Sequence, residues 1–276
     1  MPLSDNFIFS ANNLQDYLDC PRRFELKYLL KQNWPAISSQ PVLELEKKIL
    51  QGKQFHHLAH QYLSGIEKII LKNTIDDPEL EIWFDRFQEY VDHYLNFQYI
   101  SEFTAIMPYA GFRLMAVFDF ISFDDANKIR IIDWKTTYHL PKMEIYHQHL
   151  QSILYPFLAY ETSTKIFPQA ILPKYQDISM EYWFPGFPEN TISWVHSSVI
   201  HANNRELLST LISEISKKEP GDFERTSNDK SCAFCQYRSL CERGIQPGSN
   251  DENENEIETG WIADDLDFDQ IEEIAF

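Results

Sequence analysis

Apolar runs in the central part of the chain are short and separated by polar turns, which predicts β-strands. One run is rich in Phe, Val and Ile, and a polar Asp-Asp-Ala-Asn turn at 124–127 separates it from the returning run. A Pro-Gly-Phe-Pro turn separates two later runs in the same way. The predicted strands lie within residues 99–134, where 114–123 and 128–134 form a hairpin, and at 178–184 and 191–195, which form another.

Helical periodicity flanks these strands on both sides. Ser10 suits the cap of a first helix, and Pro21 suits the first turn of a second. Gln151 and Tyr155 are four residues apart on a later helix and therefore lie on one face. The predicted helices extend from Ser10 through Leu18, from Pro21 to Leu30, from Pro41 to Leu63, from Pro78 to Phe97, from Lys142 to Tyr160 and from Val199 to Lys217.

The composition indicates one sizeable domain with an acidic tail. The chain has 276 residues, of which 43% are hydrophobic and 14% aromatic, enough for a substantial core. No segment is apolar enough to span a membrane and the chain starts with polar residues, so we expect no membrane association and a reducing, cytoplasmic location. The predicted domain comprises residues 1–246.

The predicted tail, residues 247–276, differs sharply in charge from the rest of the chain. From Asp251 onward there are eleven acids and no Lys or Arg, so the tail carries −11 of the net charge of −18 and the remainder carries −7. Acidic tails are usually disordered and solubilising. This one also carries apolar residues, including Trp261 and Phe268, so docking on a helicase or other protein partner is the alternative.

Two aspartates and a lysine on the central hairpin are candidate catalytic residues. Asp133 and Lys135 are two apart on one strand and share a face, whereas Trp134 points to the other side. Asp119 lies on the preceding strand, so the acids can converge. Carboxylates without thiolates suit a hard divalent cation such as Mg²⁺ or Mn²⁺, and a nearby ammonium can orient a water. The set is typical of phosphodiester hydrolysis, although an isolated Asp-x-Lys is more often a solvated ion pair.

Four short motifs, in a fixed order, carry a resemblance to a known family. They are Gly52-x-x-x-His56, Asp119, Asp133-Trp134-Lys135 and Gln151-x-x-x-Tyr155. With these motifs the chain resembles the PD-(D/E)XK nuclease superfamily, specifically its RecB-like exonuclease branch, over roughly residues 10–244. The resemblance implies an α/β fold with a restriction-endonuclease-like mixed central sheet flanked by helices, an N-terminal helical region and a C-terminal cysteine-rich staple.

The same resemblance implies which residues hold the metal ions. His56, Asp119 and Asp133 would be ligands, together with the backbone carbonyl of Trp134. The choice of His56 rests on its distance from the preceding glycine, and His60, one helical turn further on, stays open as the alternative.

The remaining motif residues would act on the water and the nucleic acid. Lys135 would position the attacking water, and Gln151 and Tyr155 would contact the nucleic-acid strand or brace Lys135. Relatives often carry an acid on the strand before Asp119, where this chain has Glu102, but an exposed carboxylate at a strand end is an equal alternative.

The four cysteines form a second candidate site. Cys232, Cys235 and Cys241 are close in sequence, whereas Cys20 lies more than two hundred residues earlier. Metal binding is the better expectation than disulfides in a reducing compartment. Structural zinc sites usually pair two Cys-x-x-Cys motifs, so a one-plus-three arrangement fits a [4Fe–4S] cluster better, with zinc as the alternative.

This spacing also resembles the iron–sulfur staple of AddB-type helicase–nucleases and CRISPR-associated adaptation nucleases. In those proteins one cysteine precedes the nuclease core and three follow it, and Cys-Pro-Arg-Arg-Phe at 20–24 matches their usual opening. Four arginines beside the cysteines could contact a DNA backbone or make structural salt bridges. They are Arg22, Arg23, Arg225 and Arg238.

Together these patterns predict a metal-dependent DNA nuclease, with exonuclease action implied by the resemblance, that serves DNA repair, recombination or processing. The alternative is a low-activity DNA-binding or helicase-partner subunit with a nuclease-like fold. No Walker-type phosphate-binding loop is present among the chain's eight glycines, so any unwinding would come from a partner.

Overall fold

The computed structural model describes residues 3–33, 40–169 and 172–244, and for residues 40–45 only the helical backbone. The acidic tail and its predicted boundary lie outside these residues, so the division at 246 and 247 and the docking role stay predictions. In the described ranges no helix has the length and hydrophobicity needed to span a bilayer.

Eight α-helices and six strands make up the described part of the chain. The helices are α1 (Ala11–Asp19), α2 (Pro21–Phe24), α3 (Gln40–Leu63), α4 (Lys68–Lys72), α5 (Pro78–Val91), α6 (Met143–Gln148), α7 (Leu150–Ile166) and α8 (Ser198–Lys217). The strands are β1 (Ile8–Phe9), β2 (Gln98–Tyr109), β3 (Phe112–Phe123), β4 (Ile129–Trp134), β5 (Ile178–Trp183) and β6 (Ile192–Val195). A π-helical turn, Glu25–Leu29, follows α2, and 3-10 turns cover Tyr175–Asp177 and Asp229–Cys232.

Local capping explains where several helices begin. The Ser10 hydroxyl accepts the Asn13 N–H at the start of α1, and the Asn13 side chain accepts the Ser10 N–H in return. Asp77 caps α5 with Pro78 in its first turn, and Ser197 caps α8. The predicted starts of these helices are confirmed.

The strands form one mixed sheet. β2 pairs antiparallel along the length of β3 except at one row, while β1 and β4 pair with opposite ends of β3. Because β2 occupies one edge of β3, β1 and β4 must share the other edge. β5 runs parallel to β4, and β6 returns antiparallel to β5. Both predicted hairpins are confirmed.

Helices cover both faces of this sheet. A larger apolar cluster combines residues of α1, α7 and α8 with one face of the strands, including Ile131. A second cluster combines α3, α4 and α5 with the other face, including Ile132 and Trp134. The alternation along β4 therefore directs successive side chains into different layers. The predicted mixed α/β fold with a central sheet flanked by helices is confirmed.

The prediction of one helix from Lys142 to Tyr160 is wrong. His149 has an extended backbone, with φ −70° and ψ 143°, and separates α6 from α7. The new helix start is stabilised because the His149 side chain accepts the Gln151 N–H and the Gln15 side chain accepts the Leu150 N–H. The helix predicted for 78–97 ends at Val91, and β1 and α4 are too short to be apparent from periodicity.

Two buried histidines join the end of the sheet to α7 and α8. His196 Nε2 lies 3.0 Å from His201 Nδ1, and His201 Nε2 lies 2.9 Å from Glu161 Oε1. Burial, reinforced by the neighbouring His201, lowers the pKa of His196 to about 4. The folded protein therefore holds His196 neutral at pH values where an exposed histidine is charged.

This burial predicts a specific pH dependence of stability. As the pH falls from 6.5 towards 4, the unfolded chain protonates this histidine before the folded protein does, so the free energy of unfolding falls, by roughly 3 kcal/mol. Urea unfolding across this range should show a smaller loss for His196→Gln than for the wild type. Equal losses in the two proteins would contradict the buried neutral histidine.

Candidate active site

Three acids lie in one row across three neighbouring strands. The β3–β4 ladder ends at Phe120 and Ile132, and continuing its register by one residue places Asp119 opposite Asp133. The β2–β3 register likewise places Glu102 opposite Asp119. The regular ladder is interrupted at this row, because Glu102 has a left-handed φ of 52° inside a strand. Such a conformation is strained for a residue with a side chain and is typical of functional sites.

His56 of α3 completes this group. Its Nδ1 lies 3.4 Å from Asp119 Oδ2. One ligand atom each from His56, Glu102 and Asp119 lie within 4.8 Å of one another. The sequence left the role of Glu102 open, and the structure brings it to the same point as the two predicted ligands.

The surroundings of Asp119 favour its charged form. Burial alone would raise the pKa of this carboxyl group, but three neighbours outweigh it. They are the His56 imidazole, the Lys135 ammonium and the Trp134 N–H, which donates to Asp119 Oδ2 at 2.9 Å. The pKa of Asp119 therefore lies below its ordinary value, and the site retains an anionic oxygen at neutral pH.

Asp133 and Lys135 form a buried ion pair beside this group. Lys135 Nζ lies 2.7 Å from Asp133 Oδ2, and the two side chains are 0% and 1% exposed. Gln151 Nε2 from α7 donates to the other carboxylate oxygen, Asp133 Oδ1. Gln151 Oε1 is buried and has no hydrogen-bond partner in the described ranges, so it can accept from a bound molecule. Asp133 and Lys135 thus face the same way, as predicted, and Gln151 reaches the same carboxylate from α7.

The other predicted residues are placed less directly. The Trp134 ring packs in the second apolar cluster, opposite Asp133. Tyr155 packs edge-on against Phe118, with ring centroids 5.2 Å apart, and is largely buried. His60 Nδ1 lies 3.0 Å from the Ser101 hydroxyl and therefore faces β2. The geometry favours His56 over His60 as the partner of the acids.

His149 is a site residue that the sequence did not single out. Its Nδ1 accepts the Gln151 N–H at 3.3 Å, which requires that this nitrogen carries no proton. Burial, with a further contribution from the Lys135 charge, lowers the pKa of His149 well below its ordinary value. A histidine two residues before Gln151 was visible in the sequence, but only the helix break shows that it caps α7.

The donor set fits a hard divalent cation. Carboxylate oxygens from Glu102 and Asp119 and one imidazole nitrogen from His56 converge, and no thiol belongs to the group. Mg²⁺ and Mn²⁺ prefer oxygen-rich sites of this kind. Asp133 is adjacent in register but is held by Lys135 and Gln151.

The four cysteines lie together, apart from the carboxylates. All four are free thiols and line one small cavity where the two ends of the described chain meet. Cys20 immediately precedes α2, and Cys232 ends a 3-10 turn. A backbone hydrogen bond of 3.1 Å from the Arg22 N–H to the Glu224 carbonyl joins the two segments nearby.

Arginine side chains fix the chain segments around this thiol cavity through hydrogen bonds and ion pairs. Arg238 Nη1 donates to the Cys232 carbonyl at 3.1 Å, and Arg225 Nη1 donates to the Cys241 carbonyl at 2.7 Å. Arg23 forms ion pairs with Asp16 and Asp19, and Arg22 pairs with Glu25. Each of the four arginines beside the cysteines therefore has a structural contact, whereas contact with DNA stays a prediction.

The thiols fit a site for a thiolate-binding metal centre. Burial raises the pKa of Cys235 to about 11 and also raises the pKa values of Cys232 and Cys241. Arginine charges oppose this rise at all three positions. The four thiols line one cavity together with guanidinium groups, a composition that suits a metal–thiolate centre of net negative charge.

The sequence and the fold were compared with those of known proteins, and the sequence matches one family model. Residues 8–242 match the sequence model of the PD-(D/E)XK nuclease superfamily. No curated protein matches the chain. Among solved structures, SSO0001 is 13% identical with a TM-score of 0.38, over 87% of this chain and 88% of that protein. A protein from Eubacterium rectale, described as a candidate exonuclease, is 12% identical with a TM-score of 0.47, over 90% of this chain and 93% of that one.

The capping role of His149 can be tested by stability. Replacing a side-chain cap with alanine costs about 1 kcal/mol, because a helix N–H loses its acceptor. His149→Ala should therefore lower the free energy of urea unfolding by about that amount. His149→Asn, which supplies an acceptor at the same position, should retain most of it. Equal losses in the two variants would show that the side chain does not act as a cap.

Proposed function

The chain belongs to the PD-(D/E)XK nuclease superfamily, and we propose that it is a Mg²⁺- or Mn²⁺-dependent DNA exonuclease of the RecB-like branch. The observation that carries this proposal is the buried contact between Asp133, Lys135 and Gln151 beside the Asp119–His56 pair. A nuclease of this kind would serve DNA repair, recombination or processing.

Five groups are proposed to hold the catalytic metal ions. They are the side chains of His56, Glu102, Asp119 and Asp133 and the backbone carbonyl of Trp134. The convergence of the first three supports this assignment, and the register supports the fourth. A bound divalent cation supplies Lewis-acid stabilisation of phosphoryl oxygens and lowers the pKa of water.

The surrounding side chains orient the reactants. Lys135 donates to Asp133 and is shielded from solvent, so its ammonium is fixed where it can donate to a water or phosphate oxygen. Gln151 holds the second oxygen of Asp133 and keeps its own Oε1 available for a hydrogen bond from a bound molecule. Tyr155 supports the same helix face by packing against Phe118. Contact of Gln151 or Tyr155 with the nucleic-acid strand is part of the proposal.

Removing the Asp133 carboxylate should abolish cleavage. Asp133→Asn keeps the shape of the side chain but removes the charge that pairs with Lys135, so turnover should fall by at least about a hundredfold. The measurement is degradation of end-labelled single- and double-stranded DNA with Mn²⁺, Mg²⁺ or EDTA. Release of mononucleotides from the ends would identify exonuclease action.

Asp125→Asn is the matched control, because Asp125 is an exposed acid in the β3–β4 turn. It should cleave DNA at the wild-type rate. Wild-type turnover in folded Asp133→Asn would contradict the assignment. Metal-independent binding of DNA without cleavage by the wild type would favour the alternative of a low-activity DNA-binding or helicase-partner subunit.

We further propose that Cys20, Cys232, Cys235 and Cys241 hold a [4Fe–4S] cluster, with zinc as the alternative. The shared cavity and the arginine surroundings support a metal–thiolate centre. The four cysteines come from both ends of the described chain, so such a centre would stabilise the fold by joining them. It would make no direct contact with the reacting groups, which belong to the carboxylate site.

Metal analysis of anaerobically purified protein tests the cysteine site. We expect about four iron and four inorganic sulfide per chain, with the broad visible absorbance of an iron–sulfur protein. Cys235→Ala should lose the metal and melt at a lower temperature than the wild type. One zinc per chain without sulfide would replace the cluster proposal by the zinc alternative, and wild type without either metal would contradict both.

A further inference from the structure

A route of hydrogen bonds, an ion pair and one peptide link runs from the lining of the thiol cavity to the carboxylate site through Gln15 of α1. We propose that Gln15 is a positioning residue that couples the state of the thiol centre to the placement of Gln151. The proposal rests on the proposed functions of the two sites. Gln15 belongs neither to the nuclease motifs nor to the set of cysteines.

Gln15 bridges two helices with both ends of its side chain. Its Oε1 accepts the N–H of Leu150, the first residue of α7, at 3.1 Å. Its Nε2 donates to Asp19 Oδ1, one turn further along α1, at 2.9 Å. Leu150 is almost fully buried, so its N–H has little access to water if Gln15 moves away. The start of α7 therefore depends on the position of α1.

The other end of α1 is tied to the thiol cavity. Arg23 Nη2 lies 2.6 Å from Asp19 Oδ2, and Arg23 Nε lies 2.7 Å from Asp16 Oδ1. Arg23 also lines the cavity, and its charge acts on the Cys235 thiol. Cys20 follows α1 directly and donates its N–H to the Asp16 carbonyl at 3.0 Å. A centre that binds Cys20 and Cys235 together would therefore fix the end of α1.

The active-site end of the route begins one residue after Leu150. Gln151 has its N–H capped by His149, and its side chain donates to Asp133. A shift of the first turn of α7 would move this side chain away from the carboxylate. Gln15 thus links α1, whose end is held at the thiol cavity, to α7, whose first turn carries Gln151. Such a contact can carry coupling between the two sites.

The test combines the substitution Gln15→Met with removal of the metal from the cysteines. Methionine keeps the length of the side chain but lacks the strong hydrogen-bond donor and acceptor of glutamine. Hydrogen exchange at the Leu150 and Gln151 amides is measured for the full chain, with and without the metal, beside DNA cleavage. Leu18→Gln is the control, because Leu18 is an exposed residue of the same helix.

In the wild type and in Leu18→Gln, metal removal should speed exchange at these amides by about fivefold or more, the usual range for coupled sites, and should slow cleavage. In Gln15→Met, exchange should already be fast, and metal removal should change it less than about twofold. Exchange decides the proposal even if cleavage is undetectable.

Two results would overturn the proposal, and they differ from each other. If metal removal speeds exchange equally in the wild type and in Gln15→Met, the coupling through Gln15 is wrong while the metal centre stands. If the wild type contains no metal at its cysteines, the proposed centre fails and the coupling fails with it. Failure of DNA cleavage alone, with coupled exchange intact, would count only against the nuclease proposal.

Discussion

The candidate active site depends on the burial of opposite charges at one point of the sheet. Lys135 and Asp133 are almost completely shielded from solvent, and each is tolerable there only because the other is in contact with it. Loss of either partner would leave an uncompensated charge in the interior. The same requirement explains the role of Gln151, whose amide satisfies the second oxygen of Asp133. The helix that carries Gln151 must therefore begin at a fixed place.

These charges meet where the pairing between neighbouring strands of the sheet is interrupted. The β3–β4 ladder stops at Phe120 and Ile132, and the next residues on each strand are Asp119 and Asp133. The left-handed backbone at Glu102 interrupts the neighbouring strand at the same level. Interruption of the ladder releases backbone groups from pairing, and the Trp134 N–H uses this freedom to donate to Asp119. Strain in the strand is thus combined with a hydrogen bond that holds a carboxylate in its charged form.

The hairpin and the alternation of side chains along β4 were predictable from the local sequence pattern, whereas the helix break at His149 was not. The polar turn at 124–127 defines the hairpin, which places Asp119 and Asp133 on adjacent strands, and the alternation along β4 separates Trp134 from its neighbours. The break at His149 was missed because one of its stabilising partners, Gln15, is 135 residues away in sequence. Periodicity reports the face of a helix but carries no information about an acceptor supplied by a distant helix.

Two further features could not be predicted from the sequence. They are the position of Glu102 and the contacts of the arginines near the cysteines. A left-handed glutamate within a strand has no local sequence signal, so its place beside His56 could only be left open. The arginines near the cysteines were equally suited to DNA or to structural pairing by sequence alone. Their acceptors are loop carbonyls and helix acids of their own chain segments, and the sequence pattern alone does not show which acceptor each arginine reaches.

The central claim is that the carboxylate row holds a divalent cation where Lys135 and Gln151 meet Asp133. Anomalous diffraction from wild-type crystals soaked in Mn²⁺ tests it most directly. We predict manganese bound by His56, Glu102 and Asp119, with Asp133 as a further ligand. Ordered protein with no manganese at this position would contradict it.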